Sequence, residues 1–145
     1  PATPYDRIAD WYDEPFAGQG DHEQTLPELG DLIGDIRGKE VCDLACGQGS
    51  ITRWLARSGG SVTGVDISER LLEIAIREEV EEPLAIRYVQ DDAQYLTKLI
   101  DQSFDLVVRN FALMDIDDLS ACLKSASRIL RPEGSFAFSN SVCPC

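Results

Sequence analysis

The chain is short of the residues that usually announce a metal or redox centre. Among its 145 residues there is one histidine, His22. The five cysteines, Cys42, Cys46, Cys122, Cys143 and Cys145, are odd in number and irregular in spacing, which excludes a disulfide framework. A zinc site usually needs paired C-x2-4-C or histidine ligands. Only the terminal "CPC" comes near that spacing, and it reads more simply as a frayed tail; no metal is expected. Positive charge is also scarce: 13 Lys and Arg stand against 26 Asp and Glu, a formal charge of −13. The basic residues are scattered, so no cluster overrides a surface that repels a phosphate backbone. Nucleic acid is therefore not an expected partner, and a small-molecule ligand is. No apolar run approaches the roughly 20 residues of a membrane span. The opening "PATPYDRIADWYDE" has neither a basic n-region nor an apolar h-region, so it is no signal peptide. A cytoplasmic protein away from membranes is the expectation. Methionine occurs once, at Met114, so the chain lacks an initiator and reads as trimmed.

What is present is ordinary for a folded domain: 43% hydrophobic and 27% charged residues, at a length that buries one core. The expected organisation is one domain over 1–145, with a helical cap over 1–37 and an α/β core over 38–145. In the cap, Tyr5, Ile8, Trp11, Tyr12 and Phe16 recur at helical spacing until "FAGQGD" breaks the pattern. Leu26, Leu29, Ile33 and Ile36 mark a second helix, closed by Gly38. The core then alternates. Strands are expected at Val41–Ala45, Ser61–Val65, Ala85–Val89, Phe104–Val108 and Ser135–Phe138. Between them come a helix over Ser50–Arg57, a helix capped by Ser68, a short helical piece over Ala93–Leu99, and a helix carrying Leu119, Cys122, Leu123, Ala126, Ile129 and Leu130. Pro132 and Gly134 end that last helix. Such alternation implies βαβ units: a doubly wound, mostly parallel sheet with helices on both faces. In such sheets the ligand crevice lies at the carboxyl ends of the strands.

The loops after the strands are therefore the places to look. After the first strand, Gly47 and Gly49 open a tight turn into a helix whose N-terminal N–H groups face the crevice. The dinucleotide pattern G-x-G-x-x-G would put its third glycine at Thr52, so that pattern fails. The Gly-Lys-Ser/Thr of a phosphate-binding loop is absent as well. A plain βα turn remains open as a reading of this loop alone. After the second strand, Asp66 in "GVDIS" stands at about the 20-residue offset of an acid that accepts ribose hydroxyls. Ile67 beside it could cover an adenine face, and Ser68 already supplies the helix cap. After the third strand, "QDDAQYL" offers an acid next to a backbone N–H. Asp92 could accept from an adenine amino group while Ala93 N–H donates to the ring. A solvated Asp pair is the simpler alternative. After the fourth strand, Arg109 and Asn110 are polar residues at the crevice mouth, or merely a strand end.

Taken together, the four loops resemble the class I S-adenosylmethionine-dependent methyltransferases, in particular their small-molecule branch. "VCDLACGQG" resembles that family's acid-x-G-x-G-x-G element, with Ala45 in place of the first glycine. "GVDIS" and "QDDAQYL" are similar to its ribose and adenine motifs. "FDLVVRNFALMDIDDL" and "LRPEGSFAFS" are similar to its fourth and fifth strand motifs, and "YDRIADWYD" to the N-terminal helix that closes over the cofactor. The resemblance implies a Rossmann-like fold and methyl transfer from S-adenosylmethionine to a small-molecule acceptor, leaving S-adenosylhomocysteine. It also implies roles. Gly47, Gly49 and the backbone near Ala45 would lie against the methionine part, and Asp43 would orient that loop or the cofactor amine. Asp66 would take the ribose, Ile67 the adenine face, and Asp92 with Ala93 the adenine edge. Arg109 and Asn110 would border the methionine end, with Tyr12, and less directly Tyr5, on the lid.

No catalytic base stands out. His22, in the polar "GQGDHEQT", reads as a solvated loop residue. The N-P-P-aromatic element that presents amino groups in the family is replaced by "RNFA". The family's sixth and seventh strands are missing after "FSNSVCPC", which leaves an unpaired sheet edge and a route to a homodimer. A truncated, non-catalytic cofactor-binding module is thus the alternative from a different class. A nicotinamide-dependent oxidoreductase is the enzymatic rival, disfavoured by Thr52 and "DDA".

Overall fold

A computed structural model describes residues 21–110 and 116–139, with side chains described over 27–109 and 120–137. The expected first helix with Tyr5 and Tyr12, and the terminal cysteines, lie outside the described residues. The elements run α1 (Asp21–Ile33), β1 (Glu40–Leu44), α2 (Ser50–Arg57), β2 (Ser61–Asp66), α3 (Glu69–Glu81), β3 (Arg87–Gln90), β4 (Phe104–Asn110), α4 (Ile116–Ile129) and β5 (Leu130–Ser139).

The five strands form one sheet in the order β3-β2-β1-β4-β5, and every pairing is parallel. The chain winds outward from β1 to β3, then crosses back to lay β4 on the other side of β1. That reversal between β1 and β4 is the switch point at which sheets of this kind open a crevice. Strand alternation sends neighbouring side chains to opposite faces. Cys42, Leu44, Val65 and Val107 pack with Cys122, Ala126 and Ile129 of α4. Val41, Val62, Leu106 and Val108 pack with Leu29 of α1 and with Ile51 and Leu55 of α2. Both faces of the sheet are covered, as the short Val- and Leu-rich strands require. The fold is the expected doubly wound, Rossmann-like one.

Four local expectations change. The helix of Leu26–Ile36 begins at Asp21, placing His22 within a helix instead of a loop, and ends at Ile33. Gly34 closes it with φ +67, its N–H donating to Gly30 O at 3.0 Å. Ile36 still enters the core from the connection (2% exposed). Gly38, expected as the closing residue, instead turns the chain into β1 by donating its N–H to Gly59 O. The third strand starts at Arg87, because Ala85 takes φ +59, incompatible with extended pairing. Ala93–Leu99 is not helical but a series of turns. Asp91 accepts N–H bonds from Asp92 and Lys98 there, so side chains replace the helical backbone ladder. Lastly, Leu130 belongs to β5, which starts ahead of Pro132. β5 is an edge strand, where a proline is tolerated, and its register with β4 shifts between Phe104 and Leu106.

Candidate functional site

The carboxyl ends of β1, β2 and β3 lie side by side and carry most of the expected site. From β1 the chain turns through Ala45, Gly47 and Gly49, which all adopt left-handed backbone, φ +58, +59 and +95. Gly47 N–H donates to Asp66 Oδ2 at 2.8 Å, and Ser68 N–H donates to Asp66 Oδ1 at 2.9 Å. The acid at the end of β2 therefore ties the glycine turn to the start of α3. Ser68 supplies the helix cap, accepting from Leu71 N–H at 3.2 Å. Burial raises the Asp66 carboxyl above its ordinary range, against the lowering effect of those two N–H donors. A Cβ placed on Gly47 would meet nothing within 4 Å, so the turn is open there. On Gly49 it would sit 2.5 Å from Tyr88 Oη. The glycines thus do different work: Gly47 supplies backbone shape beside open space, and Gly49 makes room for the phenol.

Asp43, one residue before the end of β1, is 2% exposed. Its Oδ2 accepts from Thr52 Oγ1 at 2.7 Å, so it fastens β1 to α2. Burial, with some repulsion from Asp66, lifts its carboxyl to about 7 despite the Thr52 bond and the Arg109 charge. Thr52 is more than a failed glycine: its hydroxyl is the partner that this buried acid needs. Gly49 is the N-cap of α2 and contributes no side-chain cap, leaving the first-turn N–H groups without a side-chain acceptor.

After β3, Asp92 Oδ1 accepts from Gln94 N–H at 2.8 Å. Asp92 O accepts from Tyr95 and Leu96. Among the described residues no hydrogen bond is recorded for Ala93 N–H. Asp91 N–H donates to Asp66 O at 3.0 Å, extending the β2–β3 ladder up to this turn. Ile67 is 41% exposed beside Asp66. At the end of β4, Arg109 is buried at 7% exposure, opposite Leu44 of β1 in register. The backbone of Asn110 closes the strand, paired with Ser139. Among the described residues no His/Cys/Asp/Glu group could hold a metal, and no helix is long and apolar enough to cross a membrane.

The row along these strand ends is a left-handed turn, a buried acid, an exposed isoleucine, and an acid next to an N–H with no partner among the described residues. A family model described as "Methyltransferase domain" matches residues 42–138. The chain belongs to this methyltransferase domain family. The chain is similar to a ubiquinone biosynthesis O-methyltransferase of Coxiella burnetii, 35% identical over 104 residues, which is 72% of this chain and 44% of that protein. It is similar to a malonyl-[acyl-carrier protein] O-methyltransferase of Pseudescherichia vulneris, 34% identical over 141 residues, or 94% and 51% of the two chains. A crystal structure of an S-adenosylmethionine-dependent methyltransferase from Mesorhizobium loti superposes with a TM-score of 0.69 at 31% identity, covering 79% of this chain and 52% of that one. The chain spans about half the length of the curated relatives it matches.

Within the methyltransferase domain, the fold brings Asp43, Ala45, Gly47, Gly49, Asp66, Ile67, Asp92, Ala93 and Arg109 to one edge of the sheet. Asn110 reaches it by its backbone. Tyr12 and Tyr5 lie outside the described residues, and nothing of the His22 side chain is described. Two residues beside the turn are not marked by its motif: Thr52 enters the glycine pattern only as a mismatch, and Tyr88 lies in β3 with no motif of its own. The latter ring lies against Gly64, where a Cβ would meet its carbons at 2.8 and 2.9 Å. A glycine in mid-strand opposite an aromatic was the available signal.

Proposed function

We propose that the chain binds S-adenosylmethionine and serves methyl transfer to an oxygen of a small-molecule acceptor. The observation that carries this reading is the order of groups along the edge: glycine turn, Asp66, then Asp92 beside the unpartnered Ala93 N–H. The residues fit the cofactor. The open backbone of Ala45–Gly49 suits the methionine part, with Asp43 holding that turn through Thr52. Asp66 keeps lone pairs for the ribose diol, Ile67 covers the adenine, and Asp92 with Ala93 reads its edge. Arg109 and Asn110 border the methionine end at the switch point; Tyr12, for which the family resemblance implies a lid contact, lies outside the described residues. The cofactor supplies a methyl group that is already strongly electrophilic. The protein's contribution is then alignment of nucleophile and methyl group; a base is needed only when the acceptor holds a proton of high pKa. The O-methyltransferase relatives support oxygen as the accepting atom.

Calorimetric titration of the chain with S-adenosylmethionine and S-adenosylhomocysteine tests the reading. Binding is expected, weakened at least tenfold by Asp66→Ala, with no response to NADH. Absence of heat and of any thermal shift up to millimolar cofactor would sink it.

The edge of β5 supports a second copy as partner. Cavities of about 240 and 420 Å³ flank this strand, one lined by Leu32, Ile33 and Ala137 and the other by Leu123, Leu130 and Phe136. Sedimentation velocity is expected to show a dimer; a strict monomer at high concentration overturns that pairing.

A further inference from the structure

Among the described residues three buried side-chain atoms have no hydrogen-bond partner: Gln48 Oε1, Tyr88 Oη and Arg109 Nε. The first belongs to the glycine turn and the second lies against it. The third is different in kind, because it is a donor on a permanent cation. Arg53, the other arginine buried among the described residues, is paired with Glu79 at 3.3 Å and donates to Glu82 O at 2.7 Å. Burying a charged donor without an acceptor is costly, so an orphan of this type asks what completes it.

Its place in the fold narrows the answer. Arg109 stands at the end of β4, opposite Leu44, at the reversal of strand order where the crevice opens. Alternation along β1 separates it from the glycine turn's supports. Asp43 reaches Thr52 on the α2 face, whereas Leu44, the partner of Arg109, packs with Cys122 and Ala126 of α4. Arg109 is close enough to Asp43, Asp66 and Cys122 for its charge to lower the proton affinity of all three. The guanidinium therefore sits between the ends of β1 and β2 and α4, on the side away from α2, with the Cys122 side chain as a hydrogen-bond partner and Nε left over. On the proposed placement of the cofactor this is beside its methionine end. A group arriving there to meet the methyl carbon approaches a cation in an otherwise acidic setting.

We propose that Arg109 anchors a carboxylate carried by the methyl acceptor, so that the acceptor class is a small organic acid. This rests on the reading that the chain binds S-adenosylmethionine. A carboxylate is the natural complement of a guanidinium, since it accepts from Nε and from a terminal nitrogen in parallel. Neutral acceptors of the same shape would leave the Nε donor without a charged acceptor and be discriminated against.

The test uses the full chain saturated with S-adenosylhomocysteine, after its binding has been measured on its own. Malonate and malonamide are then titrated at matched ionic strength by calorimetry. Malonate is expected to bind at least tenfold tighter than malonamide. Arg109→Gln should abolish that preference, a loss larger than any it causes in S-adenosylhomocysteine affinity measured beside it, and Arg109→Lys should retain part of the preference. Equal binding of the two probes overturns the proposal, as does an unchanged preference in R109Q. A matching loss of S-adenosylhomocysteine affinity in R109Q also overturns it, by giving the arginine to the cofactor's own carboxylate. If R109Q does not fold, the Nε–H resonance of Arg109 in the parent decides, identified by its absence from R109K. It should shift with malonate and not with malonamide, and a resonance blind to both sinks the idea. Failure of S-adenosylhomocysteine to bind at all would instead strike the proposed function.

Discussion

Two turns, leaving β1 and β3 on either side of β2, point toward the same end of the sheet and are built by different means. The turn after β1 is made of backbone: Ala45, Gly47 and Gly49 lie at φ +58, +59 and +95, and Gly49 N–H closes back on Cys46 O at 3.0 Å. The connection after β3 rests mainly on side chains, although Leu96 takes φ +48 there and Asp92 O accepts from the Tyr95 and Leu96 N–H groups. Asp91 gathers the N–H groups of Asp92 and Lys98. Arg128 reaches from α4 to the carbonyls of Leu96 and Leu99, and Ser125 to that of Gln94. A backbone-built turn leaves its surface bare, so a ligand can lie against the main chain. A side-chain-built turn is bolted to the core, which fixes the backbone around Ala93. The first offers access and the second offers position.

The sharpest way to break this contrast is to put a side chain into the bare turn. Gly49→Ala demands φ +95 of an alanine and places its Cβ 2.5 Å from Tyr88 Oη. Strain and overlap together should cost about 3 kcal/mol of stability, read as a lower denaturation midpoint in urea at unchanged slope. Gly47→Ala is the control, since its Cβ meets nothing within 4 Å and only the backbone penalty remains, about 1 kcal/mol. If the two substitutions cost the same, Tyr88 does not brace the turn.

Next comes the side-chain-built turn. Asp91→Ala removes the acceptor of two N–H groups, at 2.8 Å each, from a residue 9% exposed. About 2 kcal/mol of destabilisation is expected. Amide exchange should accelerate at Lys98 and Leu99 well before it does in β1. A uniform loss of protection across the sheet would show that the connection has no independence, and the comparison with the β1 turn would fail.

These two turns also differ in how legible they were. Glycines at 47 and 49 declare a backbone requirement in their residue type, so the β1 turn could be placed from spacing alone. Asp91 declares nothing of the kind: an acid before "AQYLTKL" reads as the start of a helix. Its capture of Lys98 N–H depends on Arg128 and Ser125, which lie some 30 residues further along. The doubly wound parallel sheet is legible as well, because strand–helix alternation and right-handed crossovers leave few architectures. The start of β5 was not, because Leu130 fits the apolar stripe of α4 and only its pairing with Phe104 puts it in the sheet. Of the site, Asp66 was read as a ribose acid while its bond to Gly47 N–H stayed hidden. Arg109 was placed at the crevice by its position after an apolar strand. That its Nε lacks a partner is a property of packing and not of order along the chain.

A smaller effect, graded with pH, probes the acid under the β1 turn. The Asp43 carboxyl is raised from 3.8 to about 7, chiefly by burial. Its folded form thus holds a proton that the unfolded chain releases near the ordinary value. The resulting stability is fully present below about pH 4 and is lost as pH rises through about 7. Asp43→Asn keeps an acceptor for Thr52 and cannot ionise. The melting temperature of D43N relative to the parent should therefore climb between pH 4 and pH 8, roughly the window set by these values. Asp66, raised in the same direction, contributes to both proteins and largely cancels. A difference that stays flat across the window would mean that Asp43 is ionised throughout.

The smallest expected change sharpens the comparison most directly. Ala45 holds φ +58 at the position where the related acid-x-G-x-G-x-G element has a glycine. A left-handed alanine costs about 1 kcal/mol relative to its preferred conformations, and glycine at the same place does not pay it. Against this, glycine adds freedom to the unfolded chain, worth about 0.4–1 kcal/mol. The two terms nearly cancel, so Ala45→Gly should leave stability within about 0.5 kcal/mol of the parent. What should change is local. Ala45 is exposed in the turn, and removing its methyl lets the segment sample more backbone states without disturbing the core. Amide exchange at Cys46 and Gly47 should quicken, while that of Val41 and Cys42 in β1 stays as it was. If A45G instead protects the turn, relief of strain outweighs freedom. The alanine would then be a tension built into the site, as is Leu96 at φ +48 in the turn after β3, but without the side-chain hydrogen bonds that brace that turn.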